Sequence, residues 1–245
     1  MPSPLDSSLY YLDNFRTALS WITERYGDLL AADEQAFIAD FSALPTNAQA
    51  LLVRLVMRKG PHFRASKLSY PEIGEIETAA TPLLALNWLD ENAALSLDEL
   101  FALLRKDELL ACFAKAQPMR SLKKGELLED LRTSYPQVQS FEHWSPGLDR
   151  LYSLTIGALC DRLRLLFFGN LAQDWSEFVL AELGIYRYEK VAIGPDSQGF
   201  RHHRDIDDYL HLQHCRELFE AGLAVAEVQA ALGDFSSDSP HLAAR

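Results

Sequence analysis

The stretch from Leu103 to Arg132, LLRKDELLACFAKAQPMRSLKKGELLEDLR, constrains the fold more than any other. Its apolar residues fall into two short helical patterns: Leu109, Phe113 and Ala116 on the first, Leu127, Leu128 and Leu131 on the second. The polar link between them carries Pro118, which stops the first helix and keeps the two apart. The pattern predicts a helix-extended-helix unit with both apolar faces turned inward.

The charges of this stretch are as uneven as its apolar positions. Lys115, Arg120, Lys123 and Lys124 follow one another with no acid until Glu126, so the second helix opens on a cluster of cations. A helix N-terminus favours anions, and cations there oppose the macrodipole. A phosphate backbone would satisfy both the lysines and the free N–H groups, whereas the plain alternative is a solvated turn between two core helices. Lys124-Gly125-Glu126-Leu127-Leu128 after this basic turn resembles the second helix of a SAP-type DNA-binding module.

A formal net charge of -12 argues against nucleic acid binding over the whole surface, so any polyanion site has to be a local patch. With 48% of residues hydrophobic, one or two domains can bury a sizeable core. No apolar run approaches the roughly 18 residues of a membrane span. Met1-Pro2-Ser3-Pro4-Leu5-Asp6 lacks the blocks of a signal peptide, which points to the cytosol and to no membrane partner. Cys112, Cys160 and Cys215 are widely spaced in apolar helical contexts and read as buried thiols.

Along the chain, Leu12, Phe15, Leu19, Ile22, Tyr26 and Leu29 form one continuous helical seam. A second helix after Ala31 turns Phe37, Phe41 and Leu44 inward, with Asp33 and Glu34 near its positive end, and Pro45 stops it. Thr46 or Asn47 caps a third helix through Leu51, Leu52, Leu55 and Val56, which Gly60-Pro61 breaks. Here Arg54, Arg58, Lys59, Arg64 and Lys67 come without an acid among them, together with His62, a local field that attracts phosphates or a basic surface around a structural turn. Phe63, Leu68 and Tyr70 can anchor this loop. Helix-compatible residues Ile76, Ala79 and Ala80 and then Leu83 to Leu89 complete an order that fits a helix-turn-helix or winged-helix arrangement. Ser96-Leu97-Asp98-Glu99 is a capping box for a helix burying Leu97, Leu100 and Leu104.

Three runs together are specific enough to name a family: Tyr11 to Phe15, Glu24 to Leu30, and Ala50 to Pro61 followed by Phe63-Arg64 and Lys67-Leu68. They resemble the N-terminal region of the bacterial Fanconi-anaemia-associated nuclease family, whose members end in a VRR-NUC catalytic domain. Cys160 to Asn170 is again similar to that family. The resemblance implies a structure-specific DNA nuclease (a phosphodiesterase) in DNA repair, including interstrand crosslink repair, with both basic windows at DNA-binding elements.

Beyond the SAP-like unit, residues 135–146 read as a connector, and Leu148, Leu151, Leu159, Leu163 and Leu166 as one long helix. Trp175, Phe178, Val179 and Leu183 form another inward face closed by Gly184. Ile185 to Ile193 is the one credible strand. Helices through Ile206 to Phe219 and around Val225, Val228 and Leu232 precede a polar tail.

Hydrolysis of a phosphodiester needs carboxylates that hold a divalent metal, and the resemblance implies Mg or Mn on a PD-(D/E)xK core. Pro195-Asp196 is not followed by a strand bearing an E-x-K triplet, so it reads as a turn, and the chain is expected to stop before the nuclease begins. Asp207, His211 and Cys215 are spaced by four on one helix, with His214 nearby, but without a second ligand pair they read as a thiol beside solvated histidines. His202 and His203 between Arg201 and Arg204 are a third candidate phosphate contact or simply a surface. No phosphate loop, dinucleotide fingerprint or Ser-His-Asp grouping occurs, and no organic cofactor is expected.

The expected fold is mainly α: an HTH-like helical domain over 1–94, a SAP-like module over 95–134, a helical linker domain over 135–233 and a polar tail over 234–245. The expected function is to hold branched or flapped DNA through phosphates, with no catalytic, metal or cofactor residues in this chain. The alternative is a non-catalytic helical scaffold that binds protein partners.

Overall fold

The computed structural model describes residues 8–113, 120–176 and 199–236. In chain order it gives α1 (Tyr10–Tyr26), α2 (Ala32–Ala43), α3 (Thr46–Val56), β1 (His62–Arg64), α4 (Ile76–Ala85), β2 (Leu89–Asp90), β3 (Ala94–Leu95), α5 (Leu97–Leu103), α6 (Lys106–Cys112) and α7 (Lys124–Arg132). There follow β4 (Gln139–Ser140), α8 (Phe141–Trp144), β5 (Leu151–Leu154), α9 (Gly157–Phe168), α10 (His203–Glu220) and α11 (Val225–Leu232). The mainly helical architecture is as expected. Its contacts group the chain into two compact units, residues 1–43 with 158–245, and residues 44–157.

In the first unit the seam of α1 is buried throughout, with Leu12, Phe15 and Ile22 at 0% exposure. Phe15 meets Phe41 of α2 at 5.3 Å and Trp175 at 5.0 Å between ring centroids. Glu34, foreseen only as a dipole partner of its helix, is itself buried, where Arg162 Nε donates to its Oε1 at 2.6 Å. Burial pushes the Cys160 thiol up to about 12, which makes it an inert core residue.

The second unit holds the small sheets. β5 lies between β1 and β2, antiparallel to both, with Arg64 opposite Leu151 and Leu89 opposite Leu154. The order helix α3, strand β1, helix α4, strand β2 is that of a winged helix, but its middle strand is supplied from beyond residue 150. Residues 94–144 are thus inserted between two strands of one sheet. β3 and β4 pair at the neck of this insertion, Ala94 opposite Ser140 and Leu95 opposite Gln139. Its core is a cluster of Leu97, Leu100, Leu109, Phe113, Leu127, Leu131, Phe141 and Trp144.

Two expectations change here, and a third falls outside the described residues. More than one strand segment is present: five strands of two to four residues lie in this unit, too short to show alternation. The strand expected over Ile185 to Ile193, like the turn at Pro195-Asp196, the residues Phe178, Val179 and Leu183, and most of the tail, lies outside the described residues. Leu148 and Leu151 do not belong to a long helix, because Gly147 turns the chain at φ 68° and Leu151 enters the sheet, leaving α9 to start at Gly157.

The apolar run Leu83 to Leu89 also divides. Asn87 adopts the left-handed conformation at φ 56°, and Trp88 N–H donates to Leu83 O at 2.9 Å and Asn87 N–H to Leu84 O at 3.0 Å, which closes α4. Leu89 then starts β2. β5, from the stretch expected as a helical linker, joins β1 and β2 of the HTH-like segment in one sheet.

Candidate nucleic-acid interface

Both basic windows lie in the second unit. The first runs from the last turn of α3 through β1 into a 3-10 turn over Ala65–Lys67. Phe63 and Leu68 are buried and fix this loop, so the charged residues between them have set environments.

Those environments separate the five cations. Arg54 is half-buried; its Nη2 is 2.5 Å from Glu72 Oε1, and its guanidinium lies over the Tyr70 ring at 5.3 Å. Arg58 is exposed, donates to Tyr70 Oη at 3.1 Å and lies 5.6 Å from the Phe63 ring. Lys59 and Lys67 are exposed and meet no carboxylate among the described residues.

Arg64 is the opposite case, only 7% exposed. Its Nε donates to Asp149 Oδ2 at 2.9 Å and its Nη1 to Glu108 Oε2 at 2.8 Å. Burial works against its charge, yet the bonds to Asp149 and Glu108 hold the guanidinium above its ordinary pKa. Burial likewise opposes ionisation of Asp149, but bonds from Ser66 and Arg64 keep its carboxyl below the usual range. Glu108 is lowered against burial by the Arg105 N–H and by Arg64. A guanidinium so enclosed is a structural element, and Arg64 leaves the set of residues able to reach a phosphate.

His62 is also taken up internally, with Nδ1 2.8 Å from Ser153 Oγ and Nε2 3.5 Å from Glu99 Oε1.

In the second window the described cations are Arg120, Lys123 and Lys124, and Lys115 lies outside the described residues. The cationic start of α7 has an internal partner that the charge pattern alone did not suggest: Glu126 Oε2 accepts the Lys123 N–H at 2.6 Å. That carboxylate supplies the negative charge the helix end favours, so the macrodipole does not by itself demand a phosphate. Lys124 is half-buried and donates through Nζ to Leu104 O at 2.8 Å, and Lys106 Nζ donates to Arg120 O at 2.7 Å. Lys123 remains exposed, its ammonium without a carboxylate among the described residues.

The other clusters resolve differently. Asp207 is engaged by Arg162 and by His203 Nδ1, the latter at 3.2 Å, while His211 Nε2 lies 3.3 Å from Leu232 O and 4.0 Å from Cys215 Sγ. Arg204 lies 3.8 Å from Asp208. Among the described residues no group of three or more His, Cys, Asp or Glu is arranged to hold a metal ion, and no helix is long and apolar enough to cross a membrane.

Comparison with known proteins places both windows. Residues 9–90 match the family described as FAN1, HTH domain, and residues 94–144 the Fanconi anemia-associated nuclease SAP domain. A Fanconi-associated nuclease 1 homolog of Pseudomonas aeruginosa is 50% identical over 98% of this chain and 43% of its own length. One of Arabidopsis thaliana is 29% identical over 100% of this chain and 30% of its own. The crystal structure of paFAN1 bound to a 2-nucleotide 5' flap DNA with gap superposes with a TM-score of 0.91 at 50% identity, over 97% of this chain and 44% of that one. The chain therefore spans less than half the length of these relatives. Carrying their HTH and SAP segments in order, and similar to the bacterial relative from end to end of its own length, it belongs to the Fanconi-anaemia-associated nuclease family and corresponds to the N-terminal part of its members.

Proposed function

We propose that this chain is the DNA-engaging part of a structure-specific repair nuclease, holding the arms of flapped or branched DNA through their phosphates. The observation that carries this reading is electrostatic. A chain of net charge -12 sets four exposed cations with no carboxylate partner among the described residues, Arg58, Lys59, Lys67 and Lys123, inside its HTH and SAP segments. Arg120 stands beside them, exposed, and Lys115 belongs to the same basic run. Arg54 and Lys124 support the surface from within, and Arg64 contributes no contact. Phosphate contacts of this kind fix register and shape without reading sequence. The relative of known structure, bound to 5' flap DNA, supports the choice of substrate.

Cleavage itself belongs to the further length of the relatives. Mg or Mn would be held there by carboxylates that the residues described here do not assemble. The setting that fits is the bacterial cytosol, at the nucleoid.

Fluorescence anisotropy against flapped DNA tests the reading. With about six phosphates engaged, affinity falls roughly a thousandfold between 50 and 200 mM salt. Absent or salt-insensitive binding would leave the alternative, a helical scaffold for protein partners, which the exposed Phe219 and Val225 favour.

A further inference from the structure

The insertion of the SAP segment into a sheet raises the question of what holds it at a fixed angle to that sheet. The neck formed by β3 and β4 is only two residues wide on each strand, and two such short strands cannot by themselves resist twisting. Other connections lie away from the neck: His62 of β1 is 3.5 Å from Glu99 of α5, Leu151 of β5 packs into the core of the insertion, and Arg64 joins the two sides through a pair of acids. Arg64 sits on β1, and its guanidinium spans two carboxylates of different origin. Asp149 lies just before β5, the strand paired with β1, and Glu108 lies in the first turn of α6, inside the insertion.

Each carboxylate is itself anchored. Glu108 Oε2 also accepts the Arg105 N–H at 2.7 Å, so the group that caps α6 is the group Arg64 grips. Asp149 accepts the Ser66 N–H at 3.1 Å and the Arg150 N–H at 2.9 Å. Ser66 is the neighbour of Lys67, and Lys106, the first residue of α6, donates to the carbonyl of Arg120. A continuous chain of bonds thus runs from one basic window to the other with Arg64 in its middle.

We propose that Arg64 is a positioning residue for DNA: it locks the SAP segment against the winged-helix sheet, so that the two phosphate-contacting surfaces present one fixed geometry matched to bent, branched DNA rather than to a straight duplex. This rests on the DNA-holding function proposed above. The planar fork of arginine is what the task requires, since Nε and Nη1 address two acids in set directions, and a lysine ammonium, a point charge on a flexible stem, cannot hold both.

The test uses the full chain with Cys112→Ser and spin labels at Ser69→Cys and Asp130→Cys, both exposed and on either side of the junction. Pulsed electron spin resonance reads the distance distribution in the parent, in Arg64→Lys and in Glu108→Gln, while anisotropy reads the ratio of affinities for flapped and linear DNA. The proposal expects a broadened or displaced distribution in both variants with unchanged circular dichroism. It also expects a loss of flap preference of about 3- to 30-fold, with linear-duplex affinity nearly kept. A residue that merely stabilised the fold would weaken both DNAs alike. Unchanged distances, or an unchanged flap-to-duplex ratio, overturn the proposal. Should Arg64→Lys fail to fold, Glu108→Gln, which keeps the shape of the side chain and removes one arm of the link, decides alone. If the parent binds neither DNA, the functional reading falls while the distance measurement still settles the role of Arg64.

Discussion

The two basic windows look alike as strings of cations but differ in what the fold does with them. In the first, arginines are turned inward: Arg54 pairs with Glu72 and Arg64 with Glu108 and Asp149, leaving Arg58, Lys59 and Lys67 outside. In the second, it is lysines that work internally, Lys124 on the carbonyl of Leu104 just past α5 and, from the preceding helix, Lys106 on the carbonyl of Arg120, while Lys123 stays out. The difference follows from the chemistry of the heads. A guanidinium can span two carboxylates in a buried site, whereas an ammonium on a long stem reaches a single backbone oxygen from the rim. Positive charge in a sequence is therefore a poor count of positive charge offered to a ligand.

This contrast breaks first at Arg64. Arg64→Ala leaves the largely enclosed carboxylates of Glu108 and Asp149 without the cation they share, and urea unfolding should show a loss of about 3–5 kcal/mol. A loss under about 1 kcal/mol would mean the residue is no more structural than its exposed neighbours. The same site sets an acid limit. Asp149 and Glu108 both have depressed pKa values in the fold, so the stability they contribute is present above their ordinary values of 3.8 and 4.5 and is lost as pH falls through the lower folded values. Unfolding midpoints followed from neutral pH to below that range should drop more steeply in the parent than in Glu108→Gln.

The exposed lysines come next. Lys59→Glu and Lys123→Glu should each weaken flapped-DNA binding about tenfold at low salt, with stability within about 0.5 kcal/mol of the parent. Equal affinity for either variant removes that window from the interface. Lys124→Met should invert this signature, costing about 1 kcal/mol of stability through the lost carbonyl bond and affecting DNA less than Lys123→Glu. The smallest effect is expected of Lys67→Ala, read as a salt-dependence slope lower by about 1 in the logarithmic plot.

Much of the helical frame could be read from spacing alone. The seam of α1, the capping box at Ser96 and Glu99, and the facing leucines of α6 and α7 are local patterns, and the Ser96 N–H does reach Glu99 Oε2 at 2.8 Å. The sheets could not be read, because strands of two to four residues carry no alternation and their pairing joins residues far apart in the chain. The sorting of the cations was hidden for the same reason. Glu126 stands three residues from Lys123, where a capping carboxylate could have been noticed, but Glu108 and Asp149 are 44 and 85 residues from Arg64, and nothing local marks them as its partners.

The pairing of β3 with β4 has a consequence for how such a chain can change. Neighbouring antiparallel strands run about 5 Å apart, so the polypeptide leaves the host sheet and returns to it through a single doorway. A tight turn joining the two sides of that doorway could stand in for everything between them without re-routing β2 or β5. Topology alone would let the SAP segment be lengthened or exchanged without altering the host's strand order, but any replacement would have to supply a carboxylate where Glu108 meets Arg64 and an apolar cover for Leu151.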